Sequence, residues 1–269
     1  MNIIGEKING TRKLVGKAIA ERDAAFIQKL AIKQVDGGAA WLDINAGTRP
    51  DKEPADLLWL VNLVQEVTDV PLCLDSANPA ALRAVMPAVK STPMINSISG
   101  EPSRLEGILP IVAEFGCPVI ALCMDDKGIP ANKEGRLEVI RKVFEETRKV
   151  GVPDENMYVD PLAMTIATNI NAGHIIFDTM RSIHAEFPLA HISCGLSNVS
   201  FGLPARSLIN RTFMVLALEA GMDAALIDPN DRELISAIFA TELLLGKDRH
   251  CLRYTRAFRA GKIGPIEQK

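Results

Sequence analysis

Apolar and polar positions along the chain alternate on two length scales. Eight short apolar runs of strand length fall at residues 2–7, 41–46, 71–76, 93–97, 118–124, 157–161, 190–196 and 224–228. Longer stretches of helical period lie between them. "RDAAFIQKLAIKQVDGG" sets Ile27, Leu30, Ala31 and Val35 on one face and stops at Gly37 and Gly38. "KEPADLLWLVNLVQEV" carries Pro54 near its first turn and an apolar face of Leu57, Leu60, Val61 and Val64. "GRLEVIRKVFEETRKVG" repeats the stripe with Leu137, Ile140, Phe144 and Thr147. The segments around Pro87 and Pro110 hold a proline inside the pattern, which removes a backbone donor, so they are predicted to be short or kinked. "RELISAIFATELLLG" and the basic "DRHCLRYTRAFRAGK" supply the last two helices.

Regular strand–helix alternation predicts an α/β fold built on a parallel sheet. Eight strands in 269 residues match a single-domain TIM (β/α)8 barrel spanning residues 1–269. A doubly wound open sheet alternates in the same way, but no G-x-G-x-x-G follows the first strand. No Pro-, Gly- or Ser-rich linker, shared-sequence repeat or low-complexity tail divides the chain.

Composition narrows the function classes. The chain is 48% hydrophobic and 23% charged with a formal net charge of -3, ordinary values for a soluble globular protein. That balance gives no reason to expect nucleic-acid or membrane-surface binding. "MNIIGEKINGTRK" has no long apolar run ahead of its charges, so neither a signal peptide nor a membrane span is expected. The five cysteines are scattered and without paired ligand spacing. Buried, reduced thiols and a cytoplasmic location are the expectation.

In such a barrel the chemistry sits at the C-terminal ends of the strands. Those ends read Glu6, Asp43 with Asn45, Asp75, Asn96, Met124 with Asp125, Asp160, Asn198 and Asp228. Taken singly, an Asp or Asn after a strand is as readily a helix cap or a turn residue. Asp228, ahead of Pro229, Asn230 and Asp231, is read as a cap, and Lys7 as a surface lysine whose stem covers apolar area. So many at one rim describe a polar, hydrogen-bond-rich mouth. The four histidines lie away from it, so no metal bound by this chain is expected, and no motif supports a covalent nucleophile. Carboxylates and amides without metal or nucleophile suit a neutral heterocycle. A carboxylate accepts two parallel N–H bonds from an aminopyrimidinone edge, and an amide offers both a donor and an acceptor to a lactam. A pterin is such a ring.

Six motifs carry a resemblance to a known family: "GEKIN" (5–9), "LDIN" (42–45), "LCLDS" (72–76), "INSIS" (95–99), "VDPL" (159–162) and "GLSNVSFGLPAR" (195–206). In content and order the chain resembles the pterin-binding, corrinoid-dependent methyltransferases along essentially its whole length. The resemblance implies a TIM barrel that moves a methyl group between N5 of tetrahydrofolate and the cobalt of a corrinoid. Tetrahydrofolate and 5-methyltetrahydrofolate are then substrates, the cobalamin is carried by a partner corrinoid protein, and the chain forms a homodimer. It implies that Asp75, Asn96 and Asp160 hold the pterin edge. Asn198 is implied to be catalytic, with Gly195 and Ser197 lining the pocket. Glu6 and Asp43 are supporting polar groups, and Arg206 is either a contact for the p-aminobenzoyl-glutamate tail or a helix-surface arginine. Phe201, after "NVS", departs from relatives that are polar there.

The implied chemistry explains an amide at that place. The pterin nitrogen is more basic in the transition state than when methylated, so a donor whose bond strengthens with developing charge is catalytic by differential binding. Asn198 would donate without a tuned pKa, and Asp160, through water, would supply or collect the proton. The alternative for Asn198 is a turn residue in the left-handed conformation. Two other functions stay open: a dihydropteroate synthase-like pterin enzyme, and a folate-binding carrier without turnover. The former requires a basic residue at the seventh strand's end and an Arg–His pair near the eighth, where this chain has "GLSN" and "LIDPND".

Overall fold

The computed structural model describes residues 1–264. Eight strands form one parallel sheet: β1 (Asn2–Asn9), β2 (Trp41–Asn45), β3 (Leu72–Asp75), β4 (Met94–Ser99), β5 (Val119–Leu122), β6 (Met157–Asp160), β7 (His191–Ile192) and β8 (Ala224–Ile227). Consecutive strands pair from β1 to β7, and β1 also pairs with β8, so the order runs β7-β6-β5-β4-β3-β2-β1-β8. Between β8 and β7 the barrel is drawn shut by a bridge of Gly195 with Leu226, a Leu226 N–H donated to the Cys194 carbonyl at 3.1 Å, and an Asp223 N–H donated to that of Ile192 at 3.1 Å.

Two apolar layers follow from strand alternation. Inward residues Ile4, Cys73, Met94, Ile120, Tyr158 and Ala224 fill the barrel's interior. Outward ones such as Leu42, Ile44, Leu74, Ile95 and Val159 pack against the helix faces, including Leu57, Leu60, Val61 and Val64 and the stripe from Leu137 to Thr147. Burying each such Leu, Ile or Val contributes roughly 1.5–3 kcal/mol, so these repeated faces fix which side of every helix meets the sheet. The helices themselves occupy Ala24–Asp36, Glu53–Gln65, Lys133–Lys149 and Arg232–Leu244, with shorter ones where proline interrupts: Pro79–Val85 ahead of Pro87, and Pro102–Gly107 then Leu109–Phe115 around Pro110. Three helices that the pattern did not single out, Lys13–Glu21, Ala172–Glu186 and Arg206–Glu219, complete the outer ring.

Four strand ends differ from expectation by two residues or more: β4 runs on to Ser99 rather than 97 and β5 stops at Leu122 rather than 124, and β1 and β7 differ as well. β1 continues to Asn9, beyond Lys7. β7 stops at Ile192, well short of residue 196, because the chain beyond it is held otherwise. The Gly195 N–H donates to the Asp160 carboxylate at 3.3 Å, and residues 196–200 then wind into a 3₁₀ turn. Four cysteines are buried and Cys251 is exposed, all as free thiols. Among the described residues no helix is long and apolar enough to cross a membrane.

A polar barrel mouth

The rim residues fall into two groups above the apolar interior. On the first side, β2, β3 and β4 bring together Asp43, Asn45, Asp75 and Asn96. Asp75 and Asn96 are direct partners across the β3–β4 ladder, and Asp43 pairs in register with Cys73, one inward position deeper than Asp75. Asn45 donates its amide to Asp75 at 2.8 Å, and Asn96 donates to Asp43 at 3.2 Å. Each carboxylate therefore has an amide partner from another strand, Asp75 from adjacent β2 and Asp43 from β4 across β3, which fixes the rotamers of both.

Burial dominates the electrostatics of this group. Asp43 is 2% exposed, and burial together with the nearby Asp75 charge pushes its carboxyl up to about 8, against the hydrogen bonds from Asn96 and Cys73. Burial also raises Asp75, while the Asn45 amide and the Arg104 charge work the other way. Burial and their mutual repulsion favour one negative charge on this pair over two. Burial and these carboxylates likewise keep the Cys73 thiol neutral.

On the opposite side, β6 ends in Asp160. Its Oδ1 accepts the Leu162 N–H at 2.7 Å and its Oδ2 accepts the Gly195 N–H at 3.3 Å. Burial raises this carboxyl to about 6, with the two backbone donors and the Arg136 charge limiting the rise. Asn198 is exposed in the turn after Gly195. A Cβ on Gly195 would stand 3.3 Å from the Asn198 amide nitrogen, closer than most real Cβ contacts, so glycine leaves the face beside that amide open. Asn198 is absent from the residues of positive φ, so the left-handed alternative does not hold. Arg206 turns back onto this loop: it donates to the Ser200 hydroxyl at 3.0 Å and the Ser197 carbonyl at 2.6 Å, and lies 5.9 Å from the exposed Phe201 ring.

Between the two groups, Glu6 and Ser197 line a cleft of about 200 Å³ with Lys7, Asn210, Asp228 and Asp231. Glu6 is paired with Arg12 at 2.8 Å. Lys7 is not a free surface lysine: its ammonium meets Asp228 at 2.6 Å, joining β1 to the end of β8. Nor does Asp228 cap the last barrel helix. Its carboxylate accepts from Asn230 in a local turn, and Asp231 is the cap, accepting from Leu234. Three further participants escaped the sequence reading as site residues: Asn45, which orients Asp75; Asn210, which accepts from Ser200; and Arg136, whose guanidinium reaches the Asp160 loop. Asn45 was visible as the end of "LDIN"; nothing in a helical arginine or asparagine marks the other two. Among the described residues, no group of three or more His, Cys, Asp or Glu side chains is arranged to hold a metal ion.

Comparison with known proteins bears on this mouth. The chain is 42% identical over 271 residues to the methylcorrinoid:tetrahydrofolate methyltransferase of Eubacterium limosum, covering 100% of both chains. It is 30% identical over 238 residues to the methionine synthase of Mycobacterium leprae (strain TN), covering 84% of this chain and 20% of that protein. Among solved structures, Yersinia pestis dihydropteroate synthase with a pterin–sulfa conjugate superposes with a TM-score of 0.69 at 17% identity, covering 91% of this chain and 93% of that one. The Coxiella burnetii dihydropteroate synthase in complex with pteroic acid gives 0.65 at 16% identity, over 90% and 94% of the two chains. At those identities the likeness is one of fold. The pterin binding enzyme model matches residues 6–228, a span that begins at Glu6, ends at Asp228 and holds every rim residue between them. The chain belongs to the pterin-binding enzyme family.

Proposed function

We propose that the protein transfers a methyl group from a methylcorrinoid to N5 of tetrahydrofolate, with the corrinoid presented by a partner protein at the open barrel mouth. The full-length relative from Eubacterium limosum supports the reaction. The observation that carries the assignment to this mouth is the arrangement at the end of β6 and β7. A buried carboxylate, Asp160, is fixed by two backbone N–H groups, and one of these belongs to the glycine that leaves the Asn198 amide uncovered.

In this reading Asp160 uses its remaining lone pairs for the paired N–H donors of the aminopyrimidinone edge. Asp75 and Asn96, held by Asn45 and Asp43, complete the ring's recognition from the facing strands. The flat ring lies over Gly195, and Asn198 meets N5. As the N5 lone pair attacks the methyl carbon, the cobalt–carbon bond breaks and its electron pair stays on cobalt. N5 becomes a protonated tertiary amine and then loses its proton. Asp160, ionised while it accepts the ring edge, is the buried carboxylate that collects this proton through a water. Run backwards, the same groups protonate N5 of 5-methyltetrahydrofolate as a reduced cobalt takes the methyl. Arg206, engaged with Ser197 and Ser200, shapes the turn that carries Asn198. The homodimer expectation is placed on the helices Ala172–Glu186 and Arg206–Glu219, whose apolar cleft is lined by Phe177, Leu208, Phe213 and Leu216. Sedimentation of wild type against Leu216→Glu tests that placement.

The test of the reaction is anaerobic. Purified protein is mixed with methylcobalamin and tetrahydrofolate, and loss of the methyl–cobalt absorption is followed, with Asn198→Ala run beside it. Turnover that collapses in the variant while tetrahydrofolate binding persists supports the reading. Tight tetrahydrofolate binding without demethylation, even with a corrinoid protein supplied, refutes it in favour of a carrier. Condensation of p-aminobenzoate with a dihydropterin diphosphate would favour the dihydropteroate synthase-like alternative instead.

A further inference from the structure

Arg136 is a buried guanidinium whose hydrogen-bond partners are backbone carbonyls. It lies in the first turn of the helix Lys133–Lys149, is 3% exposed, and reaches out of its own helix toward the loop after β6. Its Nε donates to the Pro130 carbonyl at 3.1 Å. Its Nη1 donates to the carbonyls of Pro161 at 2.7 Å and Leu162 at 3.2 Å. A cation taken out of water without a carboxylate in hydrogen-bond contact is a costly way to stitch two loops together, since an apolar side chain of similar volume would fill the space without desolvating a charge.

What it stitches is specific. Leu162 has φ +63°, a left-handed conformation that disfavours a side chain with a Cβ. In that conformation its N–H points back to Asp160 Oδ1 at 2.7 Å, the shorter of the two bonds that orient the carboxylate. Arg136 grips the carbonyl of that peptide unit and the carbonyl of the next, one on each side of Leu162. We propose that Arg136 is a positioning residue for pterin recognition: it clamps the 161–162 peptides so that Leu162 stays left-handed and aims its N–H at Asp160, holding that carboxylate as a two-point acceptor for the ring edge. This rests on the reading of Asp160 as a pterin contact.

The charge works in the same direction as the geometry. The Arg136 guanidinium and the Leu162 N–H both oppose the upward push that burial exerts on Asp160. The other titratable groups beside Asp160 are the thiols of Cys123 and Cys194, which burial holds neutral. Arg136 is thus the one charge among these neighbours. Because the ionised carboxylate accepts both ring N–H groups, pterin affinity falls as pH drops through the free-protein value of Asp160. Loss of Arg136 moves that fall to higher pH.

The experiment is calorimetric titration of tetrahydrofolate, kept reduced, into wild type, Arg136→Met, Arg136→Lys and Asp160→Asn between pH 5 and 9. In Arg136→Met the pH at which affinity halves rises by about 1 unit, as expected on removing an opposite charge and a donor. Affinity recovers toward the wild-type value at pH 9. Arg136→Lys keeps the charge without the fork and falls between the two; it carries the test if the methionine variant does not fold. Leu162→Gly, which adopts a positive φ without strain, keeps the wild-type profile and partly restores Arg136→Met in the double variant. An unchanged midpoint in folded Arg136→Met and Arg136→Lys overturns the proposal and leaves Arg136 a packing residue. Wild-type affinity and pH profile in Asp160→Asn overturns instead the underlying assignment of Asp160, whatever the arginine variants do.

Discussion

Asp43 is the residue whose removal is expected to make the protein more stable. Its carboxyl is raised to about 8 by burial and by Asp75, whereas in the unfolded chain an aspartate titrates near 3.9. A folded-state value above the unfolded one means that the native state binds the proton more tightly. Stability is therefore fully present below about pH 4 and is lost as pH rises toward 8. The full span sets an upper bound of about 6 kcal/mol, part of which is repulsion with Asp75 and belongs to the pair. Asp43→Asn removes the charge, matches the shape and keeps an oxygen to accept from Asn96. About 2–4 kcal/mol is expected to be recovered at pH 8.5 and about 1 kcal/mol at pH 5, where the native carboxyl is still neutral but its unfolded counterpart has already ionised. At about 2–4 °C per kcal/mol for a chain of this size, the melting temperature rises by roughly 5–10 °C at pH 8.5 and by about 2–4 °C at pH 5. The assay is thermal unfolding followed by circular dichroism at pH 5, 7 and 8.5. Parallel curves for the two proteins across that range would refute the argument, since they would mean that Asp43 ionises at no cost to the fold. A stabilising effect that grows with pH from about 4 to 8 would identify a buried charge kept for the mouth rather than for the barrel.

Further outcomes are expected at the mouth. Asn198→Ala lowers the rate of demethylation by about 10²–10³-fold, the usual cost of removing one transition-state donor, with tetrahydrofolate affinity kept; single-turnover spectroscopy checks both. Tetrahydrofolate affinity of the wild type weakens as pH falls through about 6, because binding two N–H donors favours the ionised form of Asp160; a flat calorimetric profile from pH 5 to 8 contradicts this. Gly195→Ala sets a Cβ 3.3 Å from the Asn198 amide nitrogen and is expected to reduce turnover with little change in melting temperature. Gly10→Ala acts differently: its Cβ would overlap the Ala46 carbonyl where the loops after β1 and β2 cross, so loss of folded protein on expression is expected, and full wild-type yield and stability would refute that crossing.

How much of this was legible beforehand depends on whether a feature is local. Period 2 and period 3.6 patterning is a property of consecutive residues, so the eight strands and the helices bearing Leu57–Val64 or Leu137–Thr147 could be read from the chain. Prolines at 87 and 110 interrupt their helices through a missing donor, which is local too. Strand polarity then placed Glu6, Asp43, Asp75, Asn96, Asp160 and Asn198 at one rim without any coordinates. The shortness of β7 was not legible, because the Gly195 N–H is held by a side chain 35 residues away.

Pairing was decided in three dimensions. That Asn45 serves Asp75 and Asn96 serves Asp43 follows from the register of β2, β3 and β4. Lys7 and Asp228, read as solvated and as a cap, meet because β1 closes the barrel beside β8. Arg206 folds back on its own turn, and Arg136 finds carbonyls beyond a different strand. The sequence alone determined the fold class and which end of the sheet bears the chemistry, because both depend on patterns repeated along neighbouring residues. Only the tertiary structure decided which groups are paired, dry and shifted from their ordinary protonation. Those properties depend on distances between segments remote in the chain, and on the water that their packing excludes.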